Sequence, residues 1–451
     1  MAKIMNITEI ESALVHFATT YPELCERIAL PEQTYEGRSC HALRIAKGHS
    51  KIKPTTLIIG GVHAREWGGP DIVINFAADI LRAYSNGKGL RYLKKSFSAA
   101  EIKTIIEAGT TVIFPCVNPD GVEFSHTKTA MWRKNRNPGS SNGDAKKIGV
   151  DINRNYDFLW NFRTYFNPSA WEDGSLASDD PKEDTFHGTA PFSEPETRNV
   201  KWLLDNFNCS VFLDLHSYTG DVLYSWGDDQ NQNTDPIQNF GNSSFNGLRG
   251  VIGDAYREYL SPSDQYMASS VAQSVSDAMK CVQNRPYKAI QAVGLYPTAG
   301  ASDDYAFSRH FAHPGLPKTF GFTIEFNFES DGKNPFLVTA DPKVLDRTMR
   351  DVIPGLIAFC QAAPRVASAT KPQLASVAEP TGSPQPIHYG TVAGNEISQL
   401  LNAYEAIASV PGAGGKVARE GLLKAIQKTA EQAARSVAGP KRQPDHRSGR
   451  S

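Results

Sequence analysis

The sequence predicts an α/β fold, a buried sheet covered by helices, and three observations predict it. First, short continuous apolar runs recur: Thr56-Leu-Ile-Ile59, Thr110-Thr-Val-Ile-Phe-Pro-Cys116, Ser210-Val-Phe-Leu-Asp-Leu-His216 and Lys318-Thr-Phe-Gly-Phe-Thr-Ile324. Unbroken apolar runs of that length suit strands buried on both faces. Second, segments of helical periodicity, residues 70–81 and 99–107, alternate with them. Third, the junctions carry turn and cap chemistry: Gly60-Gly61, Asn118-Pro-Asp-Gly121 and the capping box Ser193-Glu-Pro-Glu196. Strands alternating with helices need a sheet with helices packed on it.

In chain order, residues 7–21 keep helical spacing and stop at Pro22. Residues 27–30 and 41–45 alternate like half-buried strands, joined by the turn Glu36-Gly-Arg38. The run 56–59 enters the glycine turn and leaves it as the helix over 70–81. The helix at 99–107 leads to the strand at 110–116. The capping box opens a helix through Trp202-Leu-Leu204, and the run 210–218 follows as a strand. Pro342 opens a helix to about Ala362, so residues 1–362 form one domain. Residues 363–390 are rich in Pro, Ala, Ser, Thr and Gly and read as a disordered linker. Residues 391–451 read as a helical, partly disordered tail: Ile397, Leu400, Leu401, Tyr404 and Ile407 hold helical spacing until Pro411-Gly-Ala-Gly-Gly415 breaks it.

Composition excludes several function classes. Of 451 residues, 40% are hydrophobic and 21% charged, the balance of a globular protein, and the net charge of −1 gives no pull toward nucleic acid or an anionic membrane. No run has the uninterrupted apolar length of a membrane span. The six cysteines have no short metal-binding spacing. With no apolar signal core at the N-terminus, this predicts a reducing, cytoplasmic setting.

The chemistry centres on His63-Ala-Arg65-Glu66, directly after the glycine turn. A histidine and a glutamate three positions apart on a turn can converge on one cation. Alone, the pair reads equally as a capping glutamate beside a surface histidine. His216, ending its own apolar run, supplies a third donor and completes a His/Glu/His zinc set with room for water.

Further motifs follow in order: Asn118-Pro-Asp-Gly121, Met131-Trp-Arg133, Gly149-Val-Asp-Ile-Asn-Arg-Asn155, Phe186-His-Gly188, Leu215-His-Ser-Tyr218, Tyr296-Pro-Thr-Ala-Gly-Ala-Ser-Asp-Asp304 and Phe322-Thr-Ile-Glu325. With these the chain resembles the zinc metallocarboxypeptidases of the pancreatic carboxypeptidase A and B family, over about residues 41–362. The resemblance implies a mixed, mostly parallel twisted sheet covered by helices, with the tail as a helical C-terminal extension. It implies one Zn2+ per chain on His63, Glu66 and His216, and hydrolysis of the C-terminal peptide bond of peptides or proteins. Glu325 matches the general base, and Arg133 the cation that stabilises the carbonyl oxygen; Arg136 is the alternative if the register slips. Asn153 and Arg154 match the clamp on the substrate carboxylate, and Arg65 a secondary anion contact. Asp151 matches the carboxylate that orients the first zinc histidine. Tyr296 matches a tyrosine that closes over substrate, and Ser217 and Tyr218 line the cleft.

Asp303 stands where carboxypeptidase B-like members carry aspartate at the base of the side-chain pocket, which implies a preference for C-terminal Lys or Arg. The alternative for Asp303 is an internal salt bridge, with Arg309 as partner. Three departures stand out. The stretch from Tyr296 to Glu325 is longer than in the pancreatic enzymes. No cysteines flank residues 137–148. Too few residues precede His63 for an inhibitory pro-segment, so no zymogen is expected. Two other functions fit less well: a hydrolase of diaminopimelate-containing cell-wall peptides, and a binding homologue without catalysis. The intact ligand set and base weigh against the second. A deglutamylase needs a basic pocket, and Asp303 is acidic.

Overall fold

The computed structural model describes residues 4–48 and 53–370. Eight strands make the main sheet: β1 (Cys25–Gln33), β2 (Ser39–Ile45), β3 (Thr55–Gly60), β4 (Thr110–Phe114), β5 (Cys209–Ser217), β6 (Asp221–Tyr224), β7 (Lys288–Gln291) and β8 (Phe320–Phe326). Their spatial order is β1-β2-β4-β3-β5-β8-β6-β7. The centre, β4-β3-β5-β8, is parallel, and β1-β2, β2-β4 and β8-β6 are antiparallel. The sheet is thus mixed and mostly parallel, as expected.

The helices longer than one turn are α1 (Ile7–Thr20), α2 (Gly69–Ser85), α3 (Ala99–Ala108), α4 (Pro119–Thr127), α5 (Pro195–Asn206), α6 (Pro262–Gln283), α7 (Ser302–Ala312) and α8 (Pro342–Thr370). β3, β5 and β8 are buried along their whole length, which is why they read as continuous apolar runs. Asn6 and Glu9 form a capping box on α1, and Ser98 and Glu101 one on α3. At α5 the chemistry differs from expectation. Glu194 is the N-cap residue and its side chain makes no capping bond; it accepts from Asn135 and Asn137 instead.

The parallel register fixes the site. Gly60 pairs with Leu215 and Glu325 with His216, so β3, β5 and β8 end side by side. The carboxyl ends of adjacent parallel strands are where an open α/β sheet presents its binding crevice. The chain divides into two units, Met1–Leu260 with Met267–Val366, and Ser261–Tyr266 with Ala367–Ser451; the strand ends lie in the first.

One boundary differs from the sequence reading. The last helix does not stop near Ala362 but continues to Thr370, through Pro354 and Pro364. Each proline removes a main-chain donor, which ordinarily breaks a helix. Here Ile353, Leu356, Ile357, Phe359, Cys360, Ala363 and Val366 are buried in the core, and that packing overrides the local cost. The expected linker therefore begins no earlier than residue 371; its remainder and the tail at 391–451 lie outside the described residues. By length and composition α8 could cross a membrane, but 72% of its most apolar window is buried inside the protein, the property of a core helix.

The buried end of α8 generates a test. Burial of a valine-sized side chain contributes about 1.5–3 kcal/mol. A chain ending at Ala362 loses buried Ala363 and Val366 and should unfold about 2 kcal/mol more easily than one ending at Thr370, measured by urea denaturation. Equal stabilities would show that the last turns of α8 add nothing to the core.

Candidate metal centre and active site

β3 delivers the chain to Gly60-Gly61. Gly61 has φ +63°, and a Cβ there would lie 3.1 Å from Pro70 Cγ and 3.3 Å from Cys116. This turn needs glycine on both counts, and it swings His63 and Glu66 over the end of β5, where His216 stands.

The three side chains converge. His63 Nδ1 lies 2.7 Å from Glu66 Oε1 and 3.0 Å from His216 Nδ1, which is 3.0 Å from Glu66 Oε2. All three residues are buried. His63 Nε2 is hydrogen-bonded to Asp151 Oδ1 at 3.0 Å, and His216 Nε2 has Asp214 Oδ2 beside it at 2.9 Å, an ion-pair contact without hydrogen-bond geometry. With a carboxylate beside each Nε2, the two Nδ1 atoms and the Glu66 carboxylate face one another in a closed space. Such an acceptor triangle is repulsive without a cation at its centre. Two imidazoles and one carboxylate are a zinc donor set, and tetrahedral ligands at about 2.0–2.1 Å stand roughly 3.3 Å apart, close to the spacing found. Among the described residues this is the one group of His, Cys, Asp and Glu that converges so closely. The residues fit zinc.

Asp151 does two jobs. Its Oδ1 faces His63, and its Oδ2 accepts from Arg133 Nε at 3.0 Å and Nη2 at 2.8 Å. Burial would raise the Asp151 pKa; Arg133 and His63 outweigh burial and hold it well below the usual carboxylate range. Burial likewise opposes ionisation of Glu66, and the two histidines reverse that and depress its pKa. Glu325 goes the other way. Burial first, then the Glu66 charge, push it up to about 8, and its Oε2 has no hydrogen-bond partner. A divalent cation bound nearby would draw it down again.

The substrate side is built from loops. Asn153 Oδ1 accepts from Ser302 N at 2.8 Å. Arg154 is 2% exposed; its Nη1 and Nη2 donate to the carbonyls of Asn153 and Ser175, and its Nε has no partner. Among the described residues no carboxylate pairs with it, so it is a buried cation open to an anion. Tyr296 is 37% exposed, with the Arg154 guanidinium 5.9 Å from its ring. Ser217 N donates to Glu66 Oε2 at 3.1 Å and fixes that carboxylate. Tyr218 meets Phe336 edge-on. Arg65 is engaged already: it pairs with Asp184 at 2.7 Å and lies over Phe336. Arg136 lies over Phe124 and Trp132 and faces Glu36, whereas Arg133 points to Asp151 and Glu66.

Asp303 is buried at the start of α7. It accepts from Asp304 N at 2.9 Å and Thr323 Oγ1 at 3.1 Å, and among the described residues it forms no ion pair. Burial raises its pKa. Arg309 pairs with Asp205 instead, so it is not the partner of Asp303.

Sequence reasoning missed Asp214 and Phe336. Asp214 was legible: two positions before His216 on one strand, it shares a face with it. Phe336 lies in the irregular stretch after β8, where no periodicity marks it.

Comparison with known proteins gives a consistent picture. The family described as zinc carboxypeptidase matches residues 10–354. Carboxypeptidase B of Astacus astacus is 32% identical over 303 residues, 66% of this chain and 80% of that protein. Carboxypeptidase A4 of Mus musculus is 30% identical over 313 residues, 68% of this chain and 59% of that protein. The crystal structure of thrombin activatable fibrinolysis inhibitor shares the fold, with a TM-score of 0.60 at 22% identity, covering 80% of this chain and 75% of that one.

Asp214 provides the test of the metal centre. Loss of a carboxylate behind a ligating histidine typically costs 10–100-fold in metal affinity. Asp214→Ala should weaken zinc binding by about that factor in competition with a chromophoric chelator. Unchanged affinity would mean that Asp214 does not orient His216.

Proposed function

The chain belongs to the zinc carboxypeptidase family, and from that premise we propose that this metallocarboxypeptidase releases C-terminal Lys and Arg from peptides or proteins. The observation that carries the preference is Asp303, a buried carboxylate with no cationic partner among the described residues. A buried charge is costly unless paired, and a substrate guanidinium or ammonium supplies the pair. Overall similarity does not decide the matter, because relatives named carboxypeptidase B and carboxypeptidase A4 match almost equally.

In this reading each side chain has one task. Arg154, with Asn153, receives the terminal carboxylate; a guanidinium forks onto it bidentately. His63, Glu66 and His216 would hold the zinc, which when bound would supply Lewis acidity at the scissile carbonyl and toward water. Glu325 is placed to accept a proton from the attacking water as the water oxygen bonds to the scissile carbonyl carbon. Arg133 donates to the carbonyl oxygen as charge gathers there. Glu325 then returns the proton to the departing amine as the C–N bond breaks. Tyr296 closes over the bound residue, and Ser217, Tyr218 and Arg65 border the upstream peptide.

A diaminopimelate-containing peptide also offers an amine beside a carboxylate, so Asp303 serves that substrate equally; assay on both separates them. A reducing, cytoplasmic setting belongs to the same reading, supported by six cysteines that are all free thiols.

Two variants test the assignment. Glu325→Gln keeps shape and loses the base, so turnover should fall about 10²–10⁴-fold with zinc content unchanged. Near-normal turnover would place the base elsewhere. Asp303→Ile removes one partner of a buried pair, a change on the order of 3–5 kcal/mol. The kcat/KM for Arg-ended peptides should drop roughly 100-fold or more relative to Phe-ended ones. An unchanged ratio would rule out Asp303 as the determinant.

A further inference from the structure

We propose that Arg249 is a positioning residue for the side-chain pocket, acting through Asp228 and Gly227 on Asp303 and Tyr296 together. The proposal rests on the reading that those two residues receive the C-terminal residue of the substrate.

The joint is the Gly227 peptide. Its N–H donates to Asp304 Oδ2 at 2.9 Å, and its carbonyl accepts from Thr298 N at 2.8 Å. Asp304 follows Asp303 at the start of α7, and its own N–H donates to Asp303 Oδ1 at 2.9 Å. Thr298 is two residues beyond Tyr296. One residue thus bonds to the segment carrying Asp303 and to the loop carrying Tyr296. The fit has no slack: a Cβ on Gly227 would lie 2.7 Å from Thr298 Oγ1 and 2.9 Å from Asp304 Oδ2.

Gly227 is held by its neighbour. Asp228 is fully buried, and neither of its carboxylate oxygens has a hydrogen-bond partner. Its cationic contact is Arg249, whose Nε is 3.5 Å from Asp228 Oδ2 and 3.2 Å from Glu258 Oε2. Arg249 is itself fully buried. It donates to the carbonyls of Phe245 at 3.3 Å and Asn239 at 3.1 Å, and lies over the Tyr256 ring. Tyr256 in turn donates to Glu258 at 2.8 Å. Glu258 is anchored by the short parallel pair of Asn231–Gln232 with Glu258–Tyr259. One guanidinium therefore ties the 229–260 excursion to Asp228.

Without that cation, Asp228 and Glu258 are two buried carboxyls left facing each other. Burial and Glu258 already push the Asp228 carboxyl up against the pull of Arg249, so without the guanidinium the pair loses its cationic contact and is free to separate. Separation moves Asp228, and Gly227 with it, and the two substrate-binding segments lose their common anchor. His216 and Glu325 sit on β5 and β8, and His63 and Glu66 on the turn after β3; the sheet holds them, and their link to this joint is indirect, through Ser302 Oγ to Asp214 Oδ2 and Thr323 Oγ1 to Asp303 Oδ2. The effect should therefore fall on substrate binding rather than on the chemical step, a split visible in KM against kcat.

The experiment compares Arg249→Met and Arg249→Lys with the parent full-length zinc enzyme on N-blocked dipeptides ending in Arg and in Phe. Coupling through a packed network commonly changes affinity a few-fold to about thirtyfold. For Arg249→Met, the KM of the preferred substrate should rise about tenfold, with kcat within about threefold and zinc content unchanged. Arg249→Lys should recover most of the loss. An unaltered KM, or a fall in kcat at constant KM, would overturn the proposal, as would a lysine variant that folds but recovers nothing. If the methionine variant is insoluble, Asp228→Ala removes the carboxyl that joins Gly227 to Arg249 and should give the same KM shift; an unshifted KM there also overturns it. If the parent prefers Phe to Arg, the Asp303 reading fails, and the positioning role is read on the Phe-ended KM.

Discussion

Everything at this site depends on two imidazole nitrogens held 3.0 Å apart with a carboxylate against both. Left to themselves these acceptors would separate. They are kept together from behind, because Asp151 and Asp214 take the far side of each ring. The sheet supplies the rest. Parallel pairing puts His216 opposite Glu325, and the glycine turn after β3 returns His63 and Glu66 to the same edge. A cation is what such an arrangement is built to hold, and the family match and the donor chemistry agree that it is zinc.

The cleft also carries two buried, unpaired charges of opposite sign. Arg154 has carbonyls around it but no carboxylate, and Asp303 has donors but no cation, among the described residues. Each is uncomfortable alone in a low-dielectric setting. A C-terminal lysine or arginine has the complementary pair, an α-carboxylate and a side-chain cation on one residue. In the proposed reading, binding such a residue would settle both charges at once, whereas a C-terminal phenylalanine would settle only the first. Arg65, by contrast, already pairs with Asp184.

Much of this was legible in the sequence because the central strands are buried on both faces and read as uninterrupted apolar runs. The ligands fall at strand ends and in a glycine turn, where chain direction changes sharply enough to leave a signal. What stayed hidden has physical reasons. α6 buries Ala268, Val271, Ala272, Val275 and Met279 at helical spacing, but alanine and serine dominate it and dilute the pattern. β6 and β7 are four residues each, too short to show a period. The end of α8 was misjudged because a local rule about proline competed with tertiary packing, and packing won. The Gly227 joint could not be read at all, since it arises from residues far apart in the chain.

The most direct measurement is hydrolysis, by the parent protein, of one peptide series differing only in a terminal Arg, Lys, Phe or Glu, with a C-terminally amidated control and zinc determined on the same sample. The account predicts one zinc per chain, release of a single terminal residue, Arg and Lys well ahead of Phe, Glu slowest, and no cleavage of the amide. Cleavage of the amidated peptide, or Glu or Phe released faster than Arg, would contradict it.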